Sequence, residues 1–203
     1  IRLSLVGSEM CIRDRVRTAQ PTTANAVITR TTSADLAGYH HSGCPMAASR
    51  LRTIRVNYWD YSGKVKRGAI VVRDDRASQV AAAFTDMFKA KFAIARMELP
   101  TRWKGNDPNM MAANDTSGYN CRKVTGNPYR WSPHAYGYAV DINPVQNPYR
   151  DPNGRWYPST AYATKRPAGV KGMNYRNGPS VKAFKSRGWS WFEGWDWQHF
   201  ERK

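Results

Sequence analysis

Two patterns of apolar and polar residues define the first half of the chain. Ile54, Val56 and Tyr58 alternate with polar residues, "YSGK" then predicts a turn, and "AIVV" is a continuous apolar run. Residues 53–72 are therefore typical of a β-hairpin. In residues 74–92, apolar side chains recur at helical spacing, with acids at the start and lysines near the end. This pattern predicts a helix whose apolar stripe packs in the core.

Irregular segments separate shorter predicted elements in the second half. Residues 100–131 and 144–178 are rich in Asn, Gly, Pro and Asp, which predicts loops. Between them "YAVDI" predicts a short strand. Further on, "VKAFKSR" predicts a brief helix, capped by Ser180 and stopped by Gly188. The closing "WSWFEGWDWQHFERK" predicts an aromatic strand. Helices and strands without regular βαβ alternation predict an α+β fold class.

The first forty residues differ from the rest of the chain. The segment "LSLVGSEMCIRDR", residues 3–15, resembles translated sequencing-adapter read-through. We therefore expect residues 1–15 to be an artefact, and the native start with any export signal to be missing. Residues 16–40 are rich in Thr, Ala and Ser without periodicity, and they predict a linker or disordered arm. Residues 41–203 are long enough for one domain with its own core.

Charge and cysteine content narrow the possible surroundings of the protein. The chain has 32 Lys+Arg against 15 Asp+Glu, a net charge of +17. This excess predicts attraction to a polyanion, such as nucleic acid, an anionic membrane or an anionic cell wall. No apolar run reaches the length of about 18 residues that a transmembrane helix needs. Once Cys11 is set aside with the artefact, Cys44 and Cys121 predict either one disulfide or two buried thiols.

A histidine and an aspartate in "SPHAYGYAVDINP" raise the question of a metal site. His134 and Asp141 are two candidate ligands, and a zinc hydrolase needs three protein ligands with one position left open for water. The chain has only four histidines, so the third ligand is His40, His41 or His199. The pair alone is also compatible with a structural histidine and an aspartate that accepts backbone hydrogen bonds.

The final segment also offers a candidate proton carrier. Asp196 lies three residues before His199, and a metal-bound water needs a nearby carboxylate to take its proton. Strict strand alternation places these two side chains on opposite faces of a sheet. The chain must therefore turn within "GWDW" for both to reach one site, and Gly194 favours such a turn.

Two further groups of residues have structural roles as their first interpretation. Trp191, Trp195 and Trp197 are expected to pack in the core or the sheet, with a substrate groove as the alternative. Asp107 and Asp115, in the loop before the candidate ligands, are expected to form turns.

The segments "SPHAYGYAVD" and "DWQHF" resemble the signatures of a known family. They are similar to the Ser-x-His-x-x-Gly-x-Ala-x-Asp and Asp/Glu-x-x-His motifs of the zinc D-Ala-D-Ala peptidases. That family includes carboxypeptidases and dipeptidases of vancomycin resistance, and endolysins that cut L-Ala-D-Glu. The resemblance covers about residues 42–201, and "SGYNCRKVTG" makes the L-Ala-D-Glu branch the most similar. It implies a small antiparallel sheet with flanking helices, as in Hedgehog signalling domains.

The resemblance implies a role for each matching residue. The implied ligands of a Zn²⁺ cofactor are His134, Asp141 and His199. Asp196 matches the catalytic acid/base, Arg122 matches the arginine that steadies the substrate carbonyl, and Ser132 matches a serine that helps bind substrate. Tyr138 stands where relatives often carry arginine, which puts the neighbouring specificity contact in doubt but not the metal site.

The resemblance implies a secreted or cell-wall-associated zinc metallopeptidase that cuts the peptidoglycan stem peptide. The bond is L-Ala-D-Glu or D-Ala-D-Ala, the other partners are anionic wall polymers, and we expect a monomer that binds no nucleic acid. Three rival hypotheses remain. One is a nucleic-acid-binding protein, although the basic residues are scattered along the chain and the sequence shows no recognisable RNA- or DNA-binding motif. Another is a cysteine peptidase with Cys121 as nucleophile and His134 as base. The last is a non-catalytic wall-binding domain of the same fold.

Overall fold

The computed structural model describes residues 19–203, so the predicted artefact at residues 1–15 lies outside the described residues. Within the described part, helices and short antiparallel strands form a mixed α+β fold, which confirms the predicted fold class. The helices are α1 (Asp74–Lys89), α2 (Asp107–Ala112) and α3 (Pro179–Lys185). The strands are β1 (Val27–Arg30), β2 (Leu51–Trp59), β3 (Val65–Arg73), β4 (Lys123–Val124), β5 (Asn127–Trp131), β6 (Ala139–Asp141), β7 (Tyr149–Arg150), β8 (Trp156–Tyr157), β9 (Ser190–Phe192) and β10 (Asp196–Glu201).

The predicted hairpin and helix form one half of the domain. β2 and β3 pair antiparallel from Leu51↔Arg73 to Trp59↔Val65, and the Asp60 carboxylate accepts backbone N–H groups in the turn between them. α1 follows β3 directly, with two aspartates in its first turn and a lysine in its last, as the helix dipole favours. Its apolar stripe is buried against the sheet. The hairpin and the helix are therefore confirmed.

The structure differs from the predicted linker or arm in residues 19–40. β1 pairs antiparallel with β2 in the register Val27↔Arg55 to Arg30↔Arg52. Ala24, Leu36 and Tyr39 are buried. The four residues of β1 are all exposed, because this strand forms the edge of its sheet. An edge strand without a buried face has no alternating apolar pattern, which is why its sequence did not predict a strand.

The second sheet carries the C-terminal motif at its centre. Its strand order is β6-β10-β7-β8, and β9 also pairs with β10. The predicted final strand is in fact two strands, β9 and β10, separated by a turn at residues 193–195 where Gly194 has φ +100°. Glycine adopts this backbone conformation without steric cost. The turn therefore lies where the sequence required it.

Aromatic packing joins the helices to the central strand of this sheet. The Phe184 ring of α3 stacks on Phe200 of β10 at 4.7 Å and meets Phe84 of α1 edge-on at 6.0 Å. The short helix is confirmed, but its predicted cap is wrong. α3 begins after Gly178, and Ser180 lies inside it with its hydroxyl bonded to a buried asparagine side chain.

The segment predicted as a loop at residues 100–131 contains α2 and the small β4–β5 hairpin. Cys121 of this segment forms a disulfide with Cys44, so the alternative of two buried thiols is excluded. The bond ties the start of the domain to the residue that precedes Arg122.

Among residues 19–203, no helix has the length and apolar character needed to cross a membrane.

Candidate metal centre and active site

A pocket of about 630 Å³ lies beside β10. It gathers the site residues that the sequence predicts, although they are far apart along the chain. The predicted site residues that line it are Arg122, Ser132, His134, Asp141, Asp196 and His199. The pocket therefore brings these side chains into one candidate site.

A short 3-10 helix, Pro133–Tyr136, presents His134 to the pocket. The Ser132 hydroxyl caps this helix by accepting the His134 backbone N–H at 3.3 Å. Gly137 ends the helix with φ +70°, and a Cβ built there would lie 2.8 Å from the Arg73 backbone nitrogen. A glycine is needed here for both reasons, since the backbone is left-handed and β3 passes close by. The spacing of the motif thus fixes the position of the histidine.

Strand pairing brings the other two candidate ligands together. Asp141 ends β6 and His199 lies on β10, and the two residues are direct Cα partners in the antiparallel ladder. Side chains opposite one another in such a pair point to the same face of the sheet. The register therefore joins two residues that are 58 positions apart in the chain.

The three candidate ligands form a compact group, called here the buried triad: His134, Asp141 and His199. His134 Nε2 lies 3.2 Å from His199 Nδ1 and 3.0 Å from Asp141 Oδ2, and His199 Nδ1 lies 3.0 Å from Asp141 Oδ1. In a tetrahedral zinc site with ligand bonds of about 2.0–2.1 Å, neighbouring ligand atoms lie about 3.3 Å apart. The donor atoms thus have nearly the spacing that a small divalent ion requires.

The outer hydrogen bonds of the histidines show which nitrogen faces the triad. His134 Nδ1 lies 2.6 Å from the Gly118 carbonyl oxygen, and His199 Nε2 lies 3.3 Å from a Glu201 carboxylate oxygen. Both partners only accept, so these nitrogens carry the protons of the neutral rings. The other nitrogens then turn their lone pairs toward Asp141. Two lone pairs and a carboxylate converging in this way require a cation among them, and the residues present therefore fit a metal ion.

The pKa shifts of the triad reflect the same requirement. Burial lowers the pKa of His199, but its hydrogen bonds to Asp141 and Glu201 outweigh burial and raise that pKa to about 10. Burial raises the pKa of Asp141, yet its contacts with His134 and His199 bring it below its ordinary value. A proton on the imidazole thus supplies positive charge between these groups. A metal ion would compete with that proton for the same place.

Asp196 lies next to the triad and is almost completely buried. Its Oδ2 lies 4.0 Å from His199 Nδ1, and its Oδ1 has no hydrogen-bond partner among the described residues. Burial raises the pKa of Asp196 well above its ordinary value. The pairing of β10 with β9 shifts register between Asp196 and Phe200, an irregularity of the kind that re-aims side chains. This irregularity accounts for Asp196 and His199 facing one pocket despite their spacing of three.

Arg122 reaches the pocket from the loop after the disulfide. Its Nη2 forms an ion pair with Asp107 at 2.9 Å, its Nη1 donates to the Lys123 carbonyl, and its buried Nε has no partner in residues 19–203. The other Asp107 oxygen accepts from the Thr125 hydroxyl at 2.7 Å. Asp107 therefore holds the Arg122 guanidinium in place, whereas the sequence predicted only a turn-forming role for it. Because Asp107 and Arg122 are far apart in the sequence, no local pattern indicated this role.

Two further positions from the motif have distinct surroundings. Ser132 is buried and caps the helix of His134, a contact that holds this candidate ligand in place. Tyr138 does not line the pocket. Its ring stacks on Tyr136 at 5.6 Å and lies under the Arg73 guanidinium. Position 138 thus contributes no side chain to the pocket wall.

The remaining histidines and the cysteines lie elsewhere. His40 bonds the Tyr119 hydroxyl at 2.6 Å, and His41 lies beside the Cys44–Cys121 disulfide. His41 and the two sulfurs are close enough to resemble a metal site, but both sulfurs are consumed by their mutual bond. The disulfide also removes the Cys121 thiol that the cysteine-peptidase hypothesis requires. His199 is therefore the third member of the triad.

The tryptophans divide between packing and the pocket. Trp191 and Trp197 lie against each other with ring centroids 5.7 Å apart, and both indole N–H groups donate to backbone carbonyls. Trp195 lines the pocket and is 47% exposed. Trp191 and Trp197 therefore have the packing role that the sequence predicted, whereas Trp195 lines the pocket.

Comparison with known proteins bears on the same segment. Neither the comparison with curated proteins nor the comparison with solved structures gave a match. The family model that matches covers the part of the chain that holds the whole buried triad and Asp196, while Arg122 precedes it. Residues 125–202 match the family described as D-alanyl-D-alanine carboxypeptidase.

Proposed function

We propose that this protein is a zinc-dependent peptidase that hydrolyses a peptide bond in the stem peptide of peptidoglycan. The buried triad carries the proposal, because two histidine lone pairs and a carboxylate converge in one pocket at metal-ligand spacing. The match of residues 125–202 to the D-alanyl-D-alanine carboxypeptidase family supports a peptidase as the host of that site.

Zinc is the metal that suits this donor set. Two imidazoles and one carboxylate are a common ligand set of catalytic zinc, and three protein ligands leave one coordination position open. The pocket of about 630 Å³ gives substrate access to that side of the triad. A bound Zn²⁺ would lower the pKa of its water to about 7 and polarise the scissile carbonyl.

Asp196 is the proposed general base and general acid. Asp196 lines the pocket next to the triad, and its Oδ1 has no hydrogen-bond partner in residues 19–203, so the carboxylate is available to accept a proton from the attacking water. A carboxyl group at this position can hold that proton and then donate it to the departing amine. Proton transfer by a positioned side chain typically contributes about 10²–10⁴-fold to the rate.

Arg122 is the proposed electrostatic stabiliser. Asp107 and the Lys123 carbonyl hold two of its nitrogens, so the guanidinium is fixed, and its Nε has no partner within residues 19–203. A preorganised donor of this kind stabilises the negative charge that develops on the carbonyl oxygen by about 3 kcal/mol. We place Ser132 in substrate binding as well, in addition to its cap.

The family match and the charge support the proposed substrate and location. A net charge of +17 suits a wall that carries anionic polymers, and a disulfide is typical of oxidising compartments outside the cytosol. We therefore place the protein among secreted or wall-associated enzymes. The candidate bonds are L-Ala-D-Glu and D-Ala-D-Ala, and the segment from "SGYNCRKVTG" through "INPVQNPY" favours the first.

Mass spectrometry of purified peptidoglycan fragments tests the proposal. Incubation with the protein should release stem peptides that begin at D-Glu, and a chelator should stop the release. Loss of a single terminal alanine, also chelator-sensitive, would assign the D-Ala-D-Ala bond instead. No cleavage of several wall types would contradict the enzyme and favour the non-catalytic wall-binding domain or a nucleic-acid-binding protein.

Two variants separate metal binding from proton transfer. Asp196→Ala should abolish turnover and leave zinc bound, whereas His199→Ala should lose zinc together with turnover. Asp86→Ala is the control, because Asp86 pairs with Arg187 and does not line the pocket. Near-normal turnover by Asp196→Ala would show that the assigned proton carrier is wrong.

A further inference from the structure

Glu201 is a pocket residue that no motif of the sequence singled out. It ends β10, two residues after His199, and its side chain is 14% exposed. Its Oε2 lies 3.3 Å from His199 Nε2, on the edge of the ring opposite the nitrogen that joins the triad. Its other oxygen lies 3.7 Å from the Lys203 ammonium. The carboxylate is thus held between a lysine and the histidine.

This contact controls two properties of the His199 ring. A carboxylate oxygen accepts a hydrogen bond, so it keeps a proton on Nε2 and leaves the Nδ1 lone pair for a metal. It also fixes the ring orientation, because rotating the ring half a turn would break the bond and move Nδ1 away from Asp141. A negative partner further makes the imidazole a stronger ligand.

We propose that Glu201 is a positioning residue for the metal site, acting through His199 rather than on substrate. The inference rests on the proposed metal-binding function of the triad. His134 is held in the same way by the Gly118 carbonyl at 2.6 Å, so each histidine of the triad has its own outer acceptor. Loss of such an acceptor typically weakens metal binding by about 10–100-fold.

The backbone of β10 does not depend on the Glu201 side chain. Glu201 pairs with Ala139 of β6 and Ser190 of β9 through main-chain register, and Phe200 beside it is fully buried. A substitution of the side chain therefore leaves the strand in place. If Glu201 had a purely structural role, its substitution would change the unfolding free energy of the apo protein without a matching change in zinc affinity.

Zinc affinity, measured by competition with a chromogenic chelator, tests the inference. Glu201→Leu should bind zinc about 10–100-fold more weakly than the wild type. Glu201→Gln keeps an acceptor oxygen but loses the charge, so its affinity should fall between the two. Glu193→Gln is the matched control, because Glu193 precedes the same strand and pairs with Arg176 outside the pocket. Its affinity should equal that of the wild type.

Nitrogen NMR of the zinc-loaded proteins gives a second readout, which a structural role would not move. The His199 Nε2–H signal should be protected from exchange in the wild type and in Glu201→Gln, and lost in Glu201→Leu. Wild-type zinc affinity in a folded Glu201→Leu protein would overturn the inference while leaving the metal site intact. Absence of zinc binding by the wild type would instead refute the proposed function on which the inference rests.

Discussion

Removal of the Cys44–Cys121 disulfide should cost this domain a large share of its stability. The two cysteines are 77 positions apart, so the bond closes a long loop in the unfolded chain. In the chain-entropy model, closing a loop of this length stabilises the folded state by about 4.5 kcal/mol at 25 °C. Typical domains have unfolding free energies of about 5–15 kcal/mol, so the loss should be visible without special conditions.

The assay is urea unfolding of the Cys44→Ser/Cys121→Ser variant. A Cys11→Ser background prevents exchange with the third cysteine of the sequence. A chelator in both samples keeps bound metal from contributing to the measured free energy. Adding a thiol reductant should destabilise the parent and leave the double-serine variant unchanged.

Activity under folding conditions should survive this change. The segment before Arg122 is also held by the bond between His40 and the Tyr119 hydroxyl at 2.6 Å, and by the Tyr39 and Tyr119 rings. The disulfide thus contributes mainly through the unfolded state. A loss of unfolding free energy below about 1 kcal/mol, or a collapse of turnover in the folded variant, would refute this reasoning.

Two further predictions concern single positions. Burial raises the pKa of Asp115 well above its ordinary value, so folding penalises the charged form. Asp115→Asn, which keeps an acceptor for the Glu98 N–H, should raise the unfolding free energy at pH 7, and the gain should vanish below about pH 4, where the unfolded carboxyl is protonated too. Gly137→Ala should destabilise more than Gly63→Ala. Both glycines have left-handed backbone, which costs alanine about 1 kcal/mol, but only the first would place a Cβ 2.8 Å from the Arg73 nitrogen. If both variants lost the same unfolding free energy in urea, the close approach to the Arg73 nitrogen would not explain the effect at Gly137.

The sequence by itself determined the local elements and the first half of the site. Alternation and helical spacing define the β2–β3 hairpin and α1, because those elements each bury one face and their patterns are local. The motif around His134 and Asp141 fixes a capped turn and a strand end within ten residues. Its resemblance to a peptidase family supplied His199 as partner, which spacing alone left open among three histidines.

The tertiary structure decided what depends on contacts between distant segments. The irregular pairing of β9 with β10 brings Asp196 and His199 to one pocket, a result that strict alternation excludes. Val27–Arg30 forms a strand because it pairs with β2, although the sequence predicted a linker or arm there. An exposed edge strand leaves no alternating pattern in its own residues. Asp107 and Glu201 became visible only as partners of Arg122 and His199. Hydrogen bonds of this kind join side chains whose separation in the sequence carries no periodic signal, so only the folded chain reveals them.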